Sequence, residues 1–184
     1  MRAYRNGTNI KVVAENGVIS PTDVALDFAG GNVYWTDSVA YVIRVARMDG
    51  EYSRVIVREA EHIKPQGIAL DPENGFMYWT AYWTAYWGNG AKISRSAMDG
   101  SGSKTLVNTT EGLKWPQGIA IDIQGQRLYW CDGGFHRIMS STLQGGDVTD
   151  VFSITGLSPG YFGIVVDDSY MYWTAWALDH ITRD

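Results

Sequence analysis

The segment GIALDPENGFMYWT at residues 67–80 decides the fold of this chain. It contains two short runs of aliphatic and aromatic residues, and a connection at residues 71–75 separates them. In this connection Pro72 is preset for an early turn position, and Gly75 is free to adopt a positive φ. The pattern therefore predicts a β-hairpin, and no helical periodicity competes with it along the chain.

The hairpin pattern occurs four times. The pair Tyr-Trp begins at residues 34, 78, 129 and 172, so successive copies lie 44, 51 and 43 residues apart. Each pair follows an apolar run that ends in an aspartate, and these aspartates are Asp27, Asp71, Asp122 and Asp167. Each period predicts four short antiparallel strands, which form one blade of a β-propeller. Because one sheet cannot bury both of its faces alone, the blades must stack face to face.

These repeats predict one all-β domain, a β-propeller in which about four blades are present. Residues 1–20 are expected to contain the fourth strand of a preceding blade and a linker. Blade 1 is predicted at residues 21–64, blade 2 at 65–115, blade 3 at 116–158 and an incomplete blade 4 at 159–184. We expect an open part of a six-bladed propeller. In the alternative, a strand near residues 10–13 completes the last blade and closes a four-bladed ring.

The composition excludes several classes of protein. Of the 184 residues, 45% are hydrophobic and 19% are charged, which excludes a disordered tail. The net charge of -5 argues against a nucleic acid partner bound through counterion release. The single cysteine, Cys131, excludes an internal disulfide framework and a cysteine-rich zinc site. No apolar run is long enough for a membrane helix, so we expect no direct membrane insertion of this segment.

The repeated motifs resemble the low-density lipoprotein receptor class B family, also called YWTD repeats. The shared string is Gly-Ile-Ala-Leu-Asp, then Tyr-Trp-Thr-Asp, Ile-x-Arg and Asp-Gly, and the resemblance covers nearly the whole chain. The Tyr-Trp-Thr-Asp signature is complete only at residues 34–37, since Cys131 replaces threonine and Ala81 and Ala175 replace aspartate elsewhere. The resemblance implies a six-bladed propeller in a receptor ectodomain or a basement-membrane protein, with a role in binding other proteins.

One rim of the propeller is the predicted ligand-binding site. The loops that enter the first strands and the loops between second and third strands share this rim, and aromatic residues among polar groups are typical interface anchors. The candidates are His62, Trp115, Tyr161, Phe162 and Trp176, with Tyr82, Trp83, Tyr86 and Trp87 of an inserted second and third Tyr-Trp copy. The resemblance implies ligand contact by Trp115 and Phe162. Alternatively, Trp115 and Tyr161 only fill loops, and the insertion is a duplication without function.

The distribution of charges predicts ion pairs between blades. The signature aspartate is present as Asp37 and Asp132, in blades 1 and 3, whereas the later arginine is present as Arg95 and Arg183, in blades 2 and 4. Pairing within a blade would leave every one of these charges unmatched. We therefore predict one ion pair from Asp37 to Arg95 and a second from Asp132 to Arg183.

The sequence thus predicts an extracellular protein-binding module of a lipoprotein-receptor-like endocytic or signalling receptor, whose parent protein spans the membrane once. Asn6 and Asn108 begin Asn-x-Thr triplets and are the predicted glycosylation sites. No cofactor and no metal are expected, and the aromatic insertion or open blade edges could support self-association. The alternatives are a structural fragment without a ligand and a propeller hydrolase of the gluconolactonase or strictosidine-synthase type. Inner-strand residues such as Ala25, Ile68 and Ile119 disfavour the enzyme, because they neither bind metal nor transfer protons.

Overall fold

The computed structural model describes residues 1–83, 90–153 and 160–176, and the backbone of residues 180–183. Its antiparallel sheets are four successive blades, three of four strands and a last one of three. Blade 1 contains β1 (Pro21–Asp27), β2 (Asn32–Asp37), β3 (Val42–Arg47) and β4 (Arg54–Arg58), and blade 2 contains β5 (Ile63–Asp71), β6 (Phe76–Trp83), β7 (Lys92–Ala97) and β8 (Lys104–Asn108). Blade 3 contains β9 (Pro116–Asp122), β10 (Arg127–Asp132), β11 (Arg137–Thr142) and β12 (Thr149–Ser153), and blade 4 contains β13 (Tyr161–Val166), β14 (Met171–Ala175) and β15 (His180–Arg183). A 3-10 turn, Thr109–Glu111, lies between blades 2 and 3, and no described helix is long and apolar enough to cross a membrane.

The predicted all-β fold of four-stranded antiparallel blades is confirmed. The blade bounds differ at one place, since β5 begins at Ile63, two residues before the predicted start of blade 2. The hairpin connections form where expected. Asp71 accepts hydrogen bonds from the backbone and side-chain nitrogens of Asn74, and Gly75 has a φ of 73°. The recurring aspartates therefore organise turns, as their positions at strand ends predict.

The N-terminal segment differs from its prediction. Residues 1–20 contain no strand of a preceding blade, and only an isolated antiparallel bridge joins Arg2 to Lys11. The segment instead lies against blade 1, where the Arg44 guanidinium donates a hydrogen bond to the Gly17 carbonyl. In this position it covers the indole ring of Trp35, which would otherwise lack a neighbouring sheet.

The four blades form an open arc. The inner strands pack in chain order, β1 on β5, β5 on β9 and β9 on β13, and among the described residues β13 does not pack along β1 in the same way. Val24 of β1 is 60% exposed, whereas the equivalent Ile68 and Ile164 in blades 2 and 4 are nearly buried. A closed ring would bury Val24 against blade 4. The four-bladed ring is therefore wrong.

The Tyr-Trp pairs hold adjacent blades together. Successive residues of a strand point to opposite faces, so one aromatic ring of each pair meets each neighbouring blade, as expected. The tyrosine of one blade shares a core with the tryptophan of the next, in the pairs Tyr34 with Trp79, Tyr78 with Trp130 and Tyr129 with Trp173. Burial of each ring contributes on the order of 2 kcal/mol, so these interfaces dominate the stability of the arc.

Close backbone contact joins the inner strands. A Cβ atom on Gly67 would lie 2.7 Å from the Gln117 carbonyl oxygen, and one on Gly118 would lie 2.6 Å from the Phe162 carbonyl oxygen. Glycine is therefore required at these positions for steric reasons. Beside this contact the Thr80 hydroxyl donates to the Gln117 carbonyl at 2.5 Å, which adds a hydrogen bond between blades 2 and 3.

Candidate functional site

A buried carboxylate organises the rim of blade 1. Asp37 Oδ2 accepts a hydrogen bond from the backbone N–H of Ile19 at 2.7 Å, and Oδ1 accepts from Ser20 at 3.1 Å. Oδ1 also accepts from the N–H groups of Val39 and Ala40, which lie in the turn after β2. Burial by itself would raise the pKa of Asp37, but these four N–H groups outweigh it and hold the pKa below its ordinary value. Asp37 thus ties the loop that enters β1 to the turn between β2 and β3.

Blade 3 repeats this arrangement. Asp132 Oδ2 accepts from the N–H of Lys114 at 2.8 Å, and Oδ1 accepts from the N–H groups of Trp115, Gly134 and Phe135 at 2.9–3.2 Å. The carboxylate is fully buried. It therefore fixes the backbone of the two rim loops from which the Trp115 and Phe135 side chains project.

The predicted ion pair between Asp37 and Arg95 is wrong. None of the ion pairs among the described side chains joins these residues, because the Asp37 oxygens already accept four backbone N–H groups. Arg95 instead lies over the Phe76 ring, with its guanidinium carbon 4.2 Å from the ring centroid. The predicted partner of Asp132, the Arg183 side chain, lies outside the described side chains.

A different ion pair joins blades 1 and 2. Glu59, just after β4, accepts a hydrogen bond from Lys92 Nζ at 2.6 Å and another from Trp79 Nε1 at 2.7 Å. The Glu59 side chain is almost completely buried, so the pair is shielded from solvent. The repeat pattern did not predict this contact, since the glutamate lies in a loop outside the repeated motifs.

Blade 2 forms its rim without the signature carboxylate. Ala81 occupies the position of Asp37, and the ladder between β5 and β6 continues past it to the pair Ile63 and Trp83. There the His62 ring stacks on the Trp83 ring at 6.2 Å between centroids. The Tyr41 ring contacts His62 edge-on at 6.0 Å between centroids. Three aromatic side chains from blades 1 and 2 are therefore in contact at the rim.

The inserted aromatic residues have different environments. Tyr82 is half-buried, packs against the core between blades 2 and 3, and accepts a hydrogen bond from Gln117 Nε2 at 3.3 Å. It belongs to the blade interface rather than to a protruding finger. Tyr86 and Trp87 lie outside the described residues, so the structure does not test the prediction for them.

The rim of blade 3 carries an exposed cluster of cations and aromatic rings. Trp115 is 38% exposed and Phe135 is 49% exposed. Lys114 Nζ lies 5.2 Å from the ring centroid of Trp115 and 5.1 Å from that of Phe135, and Arg137 lies over Phe135 at 4.8 Å. Sequence reasoning missed Phe135, although its position directly after the Asp132-Gly-Gly turn places it on the rim.

Blade 4 adds a second exposed aromatic pair. The rings of Phe162 and Trp176 stack at 5.1 Å, and Trp176 is 71% exposed. Tyr161, in contrast, is 1% exposed and packs edge-on against Trp173 in the core between blades 3 and 4. The prediction that Tyr161 contacts a ligand is wrong. Tyr161 pairs with Ala175 in the ladder between β13 and β14.

An axial cavity of about 500 Å³ opens between the inner strands of the four blades. Its lining includes the side chains of Asp23, Gln66, Gln117 and Phe162. Asp23 stands where the other repeats have glycine, and its Oδ2 accepts a hydrogen bond from the N–H of Ile68 in blade 2 at 2.9 Å. Burial raises the pKa of Asp23 above its ordinary value. Sequence reasoning missed this signal, an aspartate at a position where the other three repeats have glycine.

Of the two candidate glycosylation sites, Asn6 lies in a turn and Asn108 ends strand β8. Asn6 is exposed, and its Oδ1 accepts hydrogen bonds from the backbone and the hydroxyl of Thr8. Asn108 precedes the 3-10 turn and accepts a hydrogen bond from the N–H of Thr110. Their modification stays a prediction. The described residues contain no group of three or more His, Cys, Asp or Glu side chains that could hold a metal ion.

The repeated Tyr-Trp blades have known relatives. The family described as low-density lipoprotein receptor repeat class B matches residues 31–72 and 75–123. The chain carries low-density lipoprotein receptor class B repeats. In these class B repeats the signature tyrosine and tryptophan form the blade interfaces, and the signature aspartate, where present, holds the rim loops.

Several known proteins are similar to almost the whole chain. The vitellogenin receptor Yl of Drosophila melanogaster is 30% identical over 98% of this chain, and the low-density lipoprotein receptor-related protein 5-like protein of Homo sapiens is 29% identical over 99%. The chain spans 9% of the first relative and 68% of the second. A chain in the crystal structure of a nidogen/laminin complex superposes with a TM-score of 0.81 and 29% identity, over 93% of this chain and 61% of the other.

Solved structures with lower sequence identity share only the fold with this chain. A gluconolactonase from Xanthomonas campestris superposes with a TM-score of 0.72 at 16% identity, over 93% of this chain and 61% of that protein. At this identity the similarity shows the propeller fold and nothing about activity.

Proposed function

We propose that this chain is an extracellular protein-binding module of a lipoprotein-receptor-like endocytic or signalling receptor, and that it binds protein ligands at the rim. The observation that carries the proposal is the pair of exposed aromatic clusters on this rim, Trp115 with Phe135 and Phe162 with Trp176. The names of the relatives support it, since they include receptors and a structure of a nidogen/laminin complex.

The rim clusters differ from single exposed aromatic residues elsewhere. Phe28 and Tyr52 on the opposite rim are also exposed, and isolated exposed rings are ordinary on protein surfaces. At the candidate rim, however, rings lie in contact with each other or with a lysine, and Asp132 fixes the loops that carry two of them. Rigid aromatic anchors with a polar surround are typical of binding hot spots.

Binding assays with purified chain test this proposal. Vitellogenin and laminin are the probes, because they are the proteins named with the relatives. We expect Trp115→Ala and Trp176→Ala to weaken binding by about tenfold each in biolayer interferometry, as expected for hot-spot residues. Phe28→Ala, which removes a similarly exposed ring from the opposite rim, is the matched control. Equal binding by all three variants would contradict a rim site.

We further propose that the chain is not an enzyme. Among the described residues that line the axial cavity, Asp23 is the only carboxylate, and no histidine lines it. Hydrolysis of a lactone requires a general base with a second catalytic group or a metal ion. We therefore expect no hydrolysis of glucono-δ-lactone above the buffer rate, and a rate that Asp23→Asn abolishes would overturn this proposal.

Self-association is a separate proposal that rests on the ends of the arc. Val24 on blade 1 and Val165 on blade 4 are each about 60% exposed. Sedimentation velocity over a range of concentrations tests it. A sedimentation coefficient that does not change with concentration would contradict association through these faces.

A further inference from the structure

The axial cavity contains a carboxylate without a cation. Asp23 Oδ1 accepts a hydrogen bond from the N–H of Val24 at 2.8 Å, and Oδ2 accepts from the N–H of Ile68. None of the ion pairs among the described side chains includes Asp23. Both donors are neutral N–H groups, so no ion pair among the described side chains places a positive charge beside this partly buried carboxylate, and a cation at this position would be favourable.

A second acceptor without a partner belongs to the described residues that line the cavity. Gln117 Nε2 donates to the Tyr82 hydroxyl, and Gln66 Nε2 donates to the Lys64 carbonyl, so one N–H of each amide is used within the protein. Gln117 Oε1, in contrast, is buried and has no hydrogen-bond partner among the described residues. A ligand that carries hydrogen-bond donors and a positive charge therefore complements these acceptors.

The apolar lining of the cavity favours a side chain with a long apolar stem. Phe162 and the glycines of the inner strands line the space beside Asp23, and this lining is mostly apolar. Lysine and arginine combine an apolar stem with a cationic head, and an aromatic ring provides a favourable surface for both parts. A neutral amide would satisfy one acceptor but would leave the carboxylate charge uncompensated.

We infer that the axial cavity binds a lysine or arginine side chain from an extended segment of the protein ligand, with its cationic head paired to Asp23. This inference rests on the proposed function, since it identifies the chemistry of a segment that binds at the rim. The basic side chain enters the cavity past the Phe162 and Trp176 rings, while neighbouring residues of the ligand contact the rim.

Selection from a phage-displayed library of random linear dodecapeptides tests the inference, with the whole chain as bait. We expect the wild-type chain to enrich peptides that contain lysine or arginine, and Asp23→Asn to lose this preference. A selected peptide should bind Asp23→Asn about tenfold more weakly, and replacing its basic residue with norleucine should have the same effect, because a charge-assisted hydrogen bond is lost. Asparagine keeps the shape of the side chain and an oxygen that can accept from Ile68.

Two controls separate this inference from the proposed function. Asp49→Asn makes the same change of net charge at an exposed position on the opposite rim, and it should leave peptide binding unchanged. Trp176→Ala should weaken all selected peptides without changing their basic preference. Enrichment of peptides without basic residues would overturn the inference and leave the rim proposal standing. Failure of the wild-type chain to enrich any peptide over an unrelated bait would overturn both.

Discussion

The rims of blades 3 and 2 solve one structural problem in two ways. In blade 3, Asp132 ends its strand and binds four backbone N–H groups from two loops. In blade 2, Ala81 occupies the same position, and the strands instead continue for two more ladder pairs to Ile63 and Trp83. A buried carboxylate can therefore be replaced by a longer strand pair, since both satisfy the backbone groups at the rim.

The two solutions have different consequences for the surface. The carboxylate allows a short turn and lets Trp115 and Phe135 project from loops that side-chain hydrogen bonds hold in place. The longer ladder carries the inserted Tyr82 and Trp83 to the rim on a strand, where one ring enters the blade interface and the other stacks on His62. The chain thus presents aromatic residues on this rim by two independent routes.

Removal of the blade 3 carboxylate should have the largest effect. We expect Asp132→Ala to lower the free energy of unfolding by about 4 kcal/mol, because several buried N–H groups lose their acceptor. Urea denaturation, monitored by tryptophan fluorescence, measures this free energy of unfolding. Ala81→Gly in blade 2 is the control for a side-chain truncation at the equivalent position. A loss below about 1 kcal/mol for Asp132→Ala would show that water replaces the carboxylate.

The stability of blade 2 should depend instead on its contact with blade 1. We expect Glu59→Ala to lower the free energy of unfolding by about 2.5 kcal/mol, since Lys92 and the Trp79 indole lose their partner inside a shielded interface. Combining it with Lys92→Met should restore part of the loss, because the unpaired ammonium is then removed. A double variant as unstable as the sum of the two single variants would contradict a direct ion pair.

The two inserted rings of β6 should respond differently to truncation. Tyr82 packs in the core between blades 2 and 3, so we expect Tyr82→Ser to cost about 2 kcal/mol in urea denaturation. Trp83→Ser removes a half-buried ring that stacks on His62 and should cost about half as much. Equal losses would mean that both rings contribute to the core.

Two carboxylates of blade 1 should respond to acid in opposite directions, with the smallest effects. Because the pKa of Asp37 is lowered, its stabilising contribution to the free energy of unfolding is complete above about pH 4. This contribution is lost as the pH falls through the folded-state pKa. Because the pKa of Asp23 is raised, its stabilising contribution to the free energy of unfolding is complete below about pH 4. This contribution is lost as the pH rises through the folded-state pKa. Free energies of unfolding for wild type, Asp37→Asn and Asp23→Asn between pH 7 and 3 test both signs. Slopes of the same sign in the two differences would contradict this assignment.

Local patterns predicted the features that repeat. The alternation of Tyr78 and Trp79 on one strand indicated two blade interfaces, and Asp71 with Gly75 indicated the turn. The partner of Asp37 was not predictable in this way, because it is a set of backbone N–H groups in a loop 17–18 residues away and in a nearby turn. The expectation of an arginine partner failed for this reason. The charge of a buried side chain shows that it needs partners. It does not show whether backbone N–H groups or another side chain provide them.

The amino-acid sequence by itself determined the blades, their number and the faces on which the Tyr-Trp rings pack, because strand alternation and turn chemistry act between residues that are close in the chain. The tertiary structure decided that Tyr161 is buried while Trp176 is exposed, and that Asp23 meets Gln117 and Phe162 at one cavity. These outcomes depend on how four inner strands approach one another around an axis. The distances between the inner strands are set by side chains from several blades together, so the sequence of one repeat does not determine them.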